Sequence, residues 1–113
     1  MSASPVILNV GGVKFYTTVA TLSGEDVMEG SFFATLDYTK GEIFIDRDPT
    51  VFRYVLNFLR DRRVIFPDDG LTAALLFQEA KFYGLGKLVE RISLSLKNAT
   101  GYLDIKANNS YRP

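Results

Sequence analysis

Apolar and polar residues alternate over the first twenty positions of the chain in the pattern of two short strands. The apolar runs Val6 to Val10 and Val13 to Val19 are separated by Gly11-Gly12. A two-residue glycine loop supplies the positive φ angles that a tight hairpin requires. The pattern therefore predicts a β-hairpin over residues 6–19.

Later in the chain the apolar residues change to helical spacing. A third strand is predicted over residues 42–45, and three longer helices are predicted to begin near Pro49, Leu71 and Leu85. A shorter helix is predicted from Asp26 to Leu36. Strands that precede helices indicate an α+β domain, in which a small sheet packs on a helical bundle.

Three charged residues occupy the connection between the third predicted strand and the next helix. Asp46, Arg47 and Asp48 follow the strand directly, and Pro49 comes next. An aspartate before a proline is typical of a helix start, because the carboxylate accepts free backbone N–H groups and proline has none to lose. The apolar residues of this helix share one face, which is predicted to be core: Val51, Phe52, Val55, Leu56 and Leu59.

The three charges allow two interpretations. The first is a helix cap beside solvated neighbours, because charged side chains are mostly exposed. The second is a polar surface between subunits, where each charge finds its partner on a second copy of the chain.

Length and charge limit the classes of function. The 113 residues are enough for one domain, and 13 basic residues balance 13 acidic ones. We therefore expect no nucleic-acid partner and no attraction to an anionic membrane. No apolar run approaches the roughly 20 residues of a membrane helix, and the first residues lack a signal-peptide pattern. We expect a cytoplasmic protein without membrane contact.

The absence of Cys and His from the sequence excludes several kinds of catalytic and metal site. A disulfide, a thiolate nucleophile, a histidine base and a Cys/His zinc site are all ruled out. Asp46 and Asp48 could form a catalytic carboxylate pair, but Arg47 and the helix start explain them more simply. Asp68 and Asp69 fit a turn and helix cap better than a Ca²⁺ site. We expect no enzyme activity, no metal and no cofactor.

Five motifs in order resemble the potassium-channel tetramerisation type of BTB/POZ domain. They are Asn9-Val-Gly-Gly, Thr21-Leu22, Phe44-Ile-Asp-Arg-Asp-Pro, Val55-Leu-Asn-Phe-Leu-Arg and Glu79-Ala-Lys-Phe-Tyr-Gly. Within this type the charged run and the Asn-Phe-Leu-Arg ending are more similar to the soluble KCTD proteins (potassium channel tetramerisation domain-containing) than to voltage-gated channels. The resemblance extends from about Val6 to Ile92. It implies a BTB/POZ domain over residues 6–97, after an N-terminal tail of residues 1–5. Composition predicts a polar C-terminal tail over residues 98–113, either disordered, which is favoured, or added as a strand to a partner's edge.

The resemblance implies a protein-protein interaction module that forms homo-oligomeric rings of four or five subunits, with five favoured. The alternative is the cytoplasmic tetramerisation domain of a voltage-gated potassium channel. Some channel domains carry an intersubunit zinc site of His and Cys, which this sequence cannot reproduce. The candidates for the oligomer interface, carried over by matching motif, are Asn9, Thr17, Asp46, Arg47 and Asp48, and more weakly Arg53 and Asn57.

Some of these residues have simpler structural alternatives. Asn9 could bond its own hairpin turn, and Thr17 could occupy a strand position where threonine is favoured.

For the charged run we expect Asp46→Lys or Arg47→Glu to break the ring and leave a folded protomer.

The resemblance also implies a possible partner outside the ring. Many soluble members of the family bind cullin-3 and recruit substrates to a ubiquitin ligase. The candidates for a partner surface of this kind are Phe33, Leu36 and Tyr38. For Phe33 and Leu36 a place in the core is the favoured alternative.

Overall fold

The structure, a computed structural model, describes residues 4–24, 27 and 30–98 of the chain. The strands are β1 Pro5–Val10, β2 Val13–Thr18 and β3 Glu42–Ile45, and the described α-helices are α1 Val19–Leu22, α2 Phe52–Asp61, α3 Gly70–Phe82 and α4 Gly86–Asn98. Two short 3₁₀ helices, Phe32–Thr35 and Tyr38–Lys40, precede β3. The predicted α+β class is confirmed.

The sheet has the order β2-β1-β3, with β1 in the centre. β2 runs antiparallel to β1 and β3 runs parallel to it. Gly11 and Gly12 form the hairpin turn with φ angles of 58° and 104°, so the predicted hairpin is confirmed. Because side chains alternate along a strand, Val6, Leu8 and Val10 enter the core and the residues between them lie on the other face.

The helices pack on the inner face of the sheet around a set of aromatic rings. The ring of Phe15 on β2 contacts Phe52 at 4.9 Å, and Phe52 contacts Tyr83 at 5.4 Å. Phe33 stacks on Tyr83 at 5.1 Å. The five residues predicted to form the core face of α2 are all at most 3% exposed. The predicted core of this helix is confirmed.

The helix predicted to begin near Pro49 begins three residues later, at Phe52. The Asp48 carboxylate accepts the Thr50 N–H at 2.8 Å, and the Phe52 N–H donates to the Pro49 carbonyl at 3.0 Å. An aspartate that binds the N–H two residues further on stabilises a turn in place of the first helical residues. Residues 49–51 therefore form a turn that leads into α2.

The next helix was predicted to begin near Leu71, and α3 begins one residue earlier, at Gly70. The Asp69 carboxylate accepts the backbone N–H groups of Leu71 at 3.0 Å and Thr72 at 3.2 Å, which makes it the cap of α3. The Thr72 hydroxyl, followed by the Thr72 N–H, lowers the pKa of Asp69. At the other end Gly84 has a φ of 69°, and a Cβ there would lie 2.5 Å from the Gly30 carbonyl oxygen. Glycine is thus required where the chain leaves the helix.

The prediction of one continuous helix over residues 26–36 was wrong in its described part. Gly30 has a φ of 75°, and Ser31 is extended. The Ser31 hydroxyl accepts the Phe33 N–H at 2.9 Å and so starts a separate 3₁₀ helix. Residues 25, 26, 28 and 29 lie outside the described residues. So do residues 1–3 and 99–113, on which most of the two predicted tails fall.

Candidate functional site

The candidate site is the joint between β3 and α2, which comprises residues 46–50. Ile45, the last residue of β3, accepts the N–H of Gly11 at 3.0 Å and the N–H of Arg47 at 2.9 Å. A Cβ on Gly11 would lie 2.4 Å from the Arg47 carbonyl oxygen. The hairpin turn therefore packs directly against the joint, and only glycine permits this approach.

Arg47 connects the joint to α3 through a two-point ion pair. Its Nε donates to Glu79 Oε1 at 3.0 Å and its Nη2 donates to Glu79 Oε2 at 2.8 Å. The hydrogen bonds to Glu79 raise the pKa of Arg47 above its ordinary value. Glu79 is only 4% exposed, so the carboxylate depends on this arginine for compensation. A planar guanidinium suits this paired geometry better than a lysine would.

Two aromatic residues at the C-terminal end of α3 lie near the ion pair. The Arg47 guanidinium lies 4.3 Å from the centre of the Phe82 ring, a favourable distance for a cation–π interaction. The ring of Tyr83 is fully buried. Burial raises the pKa of the Tyr83 hydroxyl, and the negative charge of Glu79 adds to the effect. The ion pair thus lies between the aromatic core and the surface.

The two aspartates of the joint are both exposed but differ in their contacts. Asp48 accepts the Thr50 N–H at 2.8 Å and the Thr50 hydroxyl at 2.6 Å. The hydroxyl contact, followed by the N–H contact, lowers the pKa of Asp48. Asp46 makes no hydrogen bond or ion pair within the described part of the chain, although its charge acts on Arg47. Asp46 is therefore the joint residue best placed to meet a partner.

Asn9 and Thr17, the two strand candidates, differ in their contacts. The Asn9 side-chain oxygen accepts the Gly12 N–H at 2.8 Å, which is the structural alternative considered for this residue. Thr17 is 8% exposed, and its hydroxyl has no partner among the described residues. Thr17 therefore has little surface to offer a second copy of the chain.

Arg53 and Asn57 lie on the polar side of α2, as predicted, together with a residue that sequence reasoning missed. Arg53 is exposed. Arg60 donates to the Asn57 side chain at 3.1 Å and to the Tyr16 carbonyl on β2 at 2.7 Å. The spacing of 53, 57 and 60 places the three residues along one helix face, and this spacing could have identified Arg60.

Phe33, Leu36 and Tyr38 do not form one exposed surface. Phe33 is fully buried against Tyr83, while Leu36 and Tyr38 are half-buried. The Tyr38 hydroxyl donates to the Phe33 carbonyl at 2.7 Å, and burial raises the pKa of Tyr38 to about 12. Phe33 therefore belongs to the core, whereas Leu36 and Tyr38 retain some accessible surface.

Glu79 is the site residue whose role sequence reasoning missed. It was part of a family motif, but no contact was assigned to it. Its helix buries Ala73, Leu76 and Ala80, and Glu79 falls on the same side. A carboxylate on the apolar side of a helix needs a buried partner, and that signal could have identified it.

Metal binding and membrane insertion find no structural support within the described residues. They contain no group of three or more acidic side chains that could hold a metal ion. None of the described helices combines the length and apolar character needed to cross a membrane.

Comparison with known proteins gives consistent matches along the chain. A family model described as BTB/POZ domain matches residues 6–92. The human protein named BTB/POZ domain-containing protein KCTD21 is 40% identical over 116 aligned positions, which cover 94% of this chain and 45% of that protein. The mouse protein of the same name is 43% identical over 95 positions, which cover 80% of this chain and 36% of that protein. The chain spans less than half the length of these curated relatives.

The dependence of Glu79 on Arg47 gives a stability prediction. Arg47→Ala leaves a buried carboxylate without its partner, so we expect the free energy of unfolding to fall by about 3 kcal/mol. Because the two residues act together, the double variant Arg47→Met/Glu79→Leu should lose less unfolding free energy than the summed losses of the single variants Arg47→Met and Glu79→Leu. Urea unfolding followed by circular dichroism, at one fixed protomer concentration, measures these differences.

Arg63→Ala is the matched control, because Arg63 is exposed, is not among the candidates for the oligomer interface and makes no hydrogen bond within the described residues. We expect its effect to stay within about 0.5 kcal/mol. An Arg47→Ala protein as stable as the Arg63→Ala protein would contradict the structural role of the ion pair.

Proposed function

The chain belongs to the BTB/POZ domain family, of the potassium-channel tetramerisation type, and from this premise we propose that it is a self-associating adaptor domain without catalytic activity. Its copies form a closed ring in which five subunits are favoured over four. Each subunit uses two different surfaces in such a head-to-tail ring, and closure depends on the rotation between neighbours. The joint forms part of one of these surfaces.

The exposed charge of Asp46 on a rigid joint is the observation that supports this proposal best. The ion pair of Arg47 with buried Glu79 fixes the backbone on which Asp46 lies. A charge that is already held in place loses little conformational freedom when a partner binds. A charge that finds its partner at one docking angle also disfavours wrong assemblies.

In this proposal Arg47 holds the backbone of the joint in place. The exposed charge that meets the neighbouring subunit belongs to Asp46. Arg47→Glu would place a second carboxylate beside buried Glu79, so the folded protomer would lose stability. The expectation that Arg47→Glu leaves a folded protomer is therefore revised. Asp46→Lys alters the surface charge without removing a hydrogen bond found in the described residues.

We favour the adaptor over a channel tetramerisation domain because both relatives carry the KCTD name. The adaptor role includes recruitment of cullin-3 through the surface around Leu36 and Tyr38. Phe33 is left out of this surface because its side chain is fully buried.

The ring is tested by charge reversal at Asp46. We expect Asp46→Lys to raise, by about tenfold or more, the protomer concentration below which the ring dissociates. The reason is that an attractive contact at each interface becomes repulsive. Sedimentation velocity over a range of protein concentrations measures the change, and thermal unfolding checks the protomer.

Asp68→Lys is the matched control, since Asp68 is also exposed and makes no hydrogen bond within the described residues. We expect this variant to sediment like the unmodified protein. An Asp46→Lys protein that sediments like the control, or that fails to fold, would count against a place for Asp46 in the interface.

Cullin recruitment is tested separately by truncation at Leu36. We expect Leu36→Ala to weaken binding of the purified N-terminal domain of cullin-3 by about tenfold, because accessible apolar contact area is lost. Leu94→Ala is the control, since Leu94 is an exposed leucine of α4. Isothermal titration calorimetry gives the affinities. Equal affinities for the two variants, or an unmodified protein that does not bind, would remove cullin-3 from the proposal.

A further inference from the structure

A shallow pocket lies between the joint and α3, and we call it the joint pocket. Its volume is about 40 Å³, and the residues that line it are Asp48, Thr50, Val51, Leu75, Gln78 and Glu79. A space of this size holds a group of a few heavy atoms. Asp48 and Thr50 belong to the joint, and Glu79 is the ion-pair partner of Arg47. The joint pocket is therefore continuous with the surface that we propose for self-association.

The lining of the joint pocket combines acidic and apolar groups. Asp48 and Glu79 are acidic, and none of the described residues that line the pocket is a lysine or an arginine. Both hydrogen bonds from Thr50 go to Asp48 Oδ1, so Asp48 Oδ2 has no hydrogen-bond partner within the described residues. Val51 and Leu75 supply apolar surface. A long cationic side chain matches this lining, because its methylene groups can lie on apolar residues while its charge meets a carboxylate.

The charge balance of the chain indicates where such a side chain comes from. Asp46, Asp48 and Glu79 carry three negative charges and Arg47 carries one positive charge, so this region has an excess of two negative charges. The whole chain has 13 basic and 13 acidic residues. The rest of the chain therefore has an excess of two positive charges. A second copy can thus offer a basic surface to the joint, as contact between two different surfaces in a head-to-tail ring requires.

We propose that the joint pocket receives a lysine or arginine side chain from the neighbouring subunit. This inference rests on the proposed self-association and deepens it, because it names the chemistry of the second surface. The cationic head contacts Asp48 Oδ2, and the stem lies on Val51 and Leu75. A cation that must enter a pocket also restricts the docking angle, which favours one defined assembly over others.

Other occupants match the joint pocket less well. A divalent metal ion would find too few ligands, since both carboxylate oxygens of Glu79 already accept from Arg47. A neutral side chain would displace water from Asp48 without compensating the charge of its carboxylate. The pocket therefore favours a cationic side chain.

Gln78 offers a direct test, because it is exposed, lines the joint pocket and makes no hydrogen bond within the described residues. Gln78→Lys brings a cation of the same subunit to the pocket, where it repels the side chain of the neighbour. We expect this variant to raise, by about tenfold, the protomer concentration below which the ring dissociates. Gln78→Glu adds a negative charge at the same position, so we expect that concentration to fall by about threefold.

Sedimentation velocity over a dilution series measures both changes, and circular dichroism checks the fold of each variant. Lysine and glutamate are good helix formers, as glutamine is, so neither change should disturb α3. Ser95→Lys and Ser95→Glu place the same two charges at an exposed position of α4 and are the matched controls. We expect the two controls to dissociate at the same concentration as the unmodified protein. High salt should reduce the difference between the two Gln78 variants, because it screens the charges.

The outcomes separate this inference from the proposed function. An unmodified protein that is monomeric at every concentration overturns both. A ring that dissociates at the same concentration in Gln78→Lys and Gln78→Glu overturns only the inference, because the sign of the charge would then have no effect. If Gln78→Lys does not fold, the other variant decides the question, and a Gln78→Glu ring no tighter than the unmodified ring overturns the inference.

Discussion

The ion pair between Arg47 and Glu79 is the interaction on which the arrangement of this domain most depends. A carboxylate that is 4% exposed would be costly to bury alone, and the two-point contact with one guanidinium compensates for it. Because Arg47 lies just after β3 and Glu79 lies in α3, the pair fixes the sheet relative to the helices. The close approach of Gly11 to the Arg47 carbonyl holds the same joint from the other side.

This arrangement divides the surface into parts with different physical roles. The joint presents Asp46 at a defined position, and a charge of this kind contributes to the orientation and rate of association more than to affinity. On the sheet face that points away from the helices, the side chains of Tyr16 and Phe44 are largely exposed.

Local patterns in the sequence predicted much of the fold. The Gly11-Gly12 pair identified the hairpin, and the spacing of Val55, Leu56 and Leu59 identified the core face of α2. The start of α2 was misplaced because Asp48 can bind an N–H in a turn as readily as in a helix cap, and both appear the same in sequence. Family motifs, by contrast, identified the family correctly from the sequence alone.

The candidate site was less accessible to sequence reasoning. Arg47 and Glu79 are 32 residues apart, and helical periodicity contains no information about ion pairs between elements. Alternation along β2 and β3 shows that Tyr16 and Phe44 share a face with other residues, but the pattern alone does not say which face remains exposed. Both features follow from tertiary packing, which places distant segments next to one another.

Self-association through the joint is the central claim, and the absolute mass of the unmodified protein in solution tests it most directly. Multi-angle light scattering at moderate salt, over a wide range of protein concentrations, provides this mass. The account predicts a mass of five protomers at every concentration above the one at which the ring dissociates. A mass of one protomer throughout the range would contradict it, and Asp46 would then be a solvated charge beside a helix start.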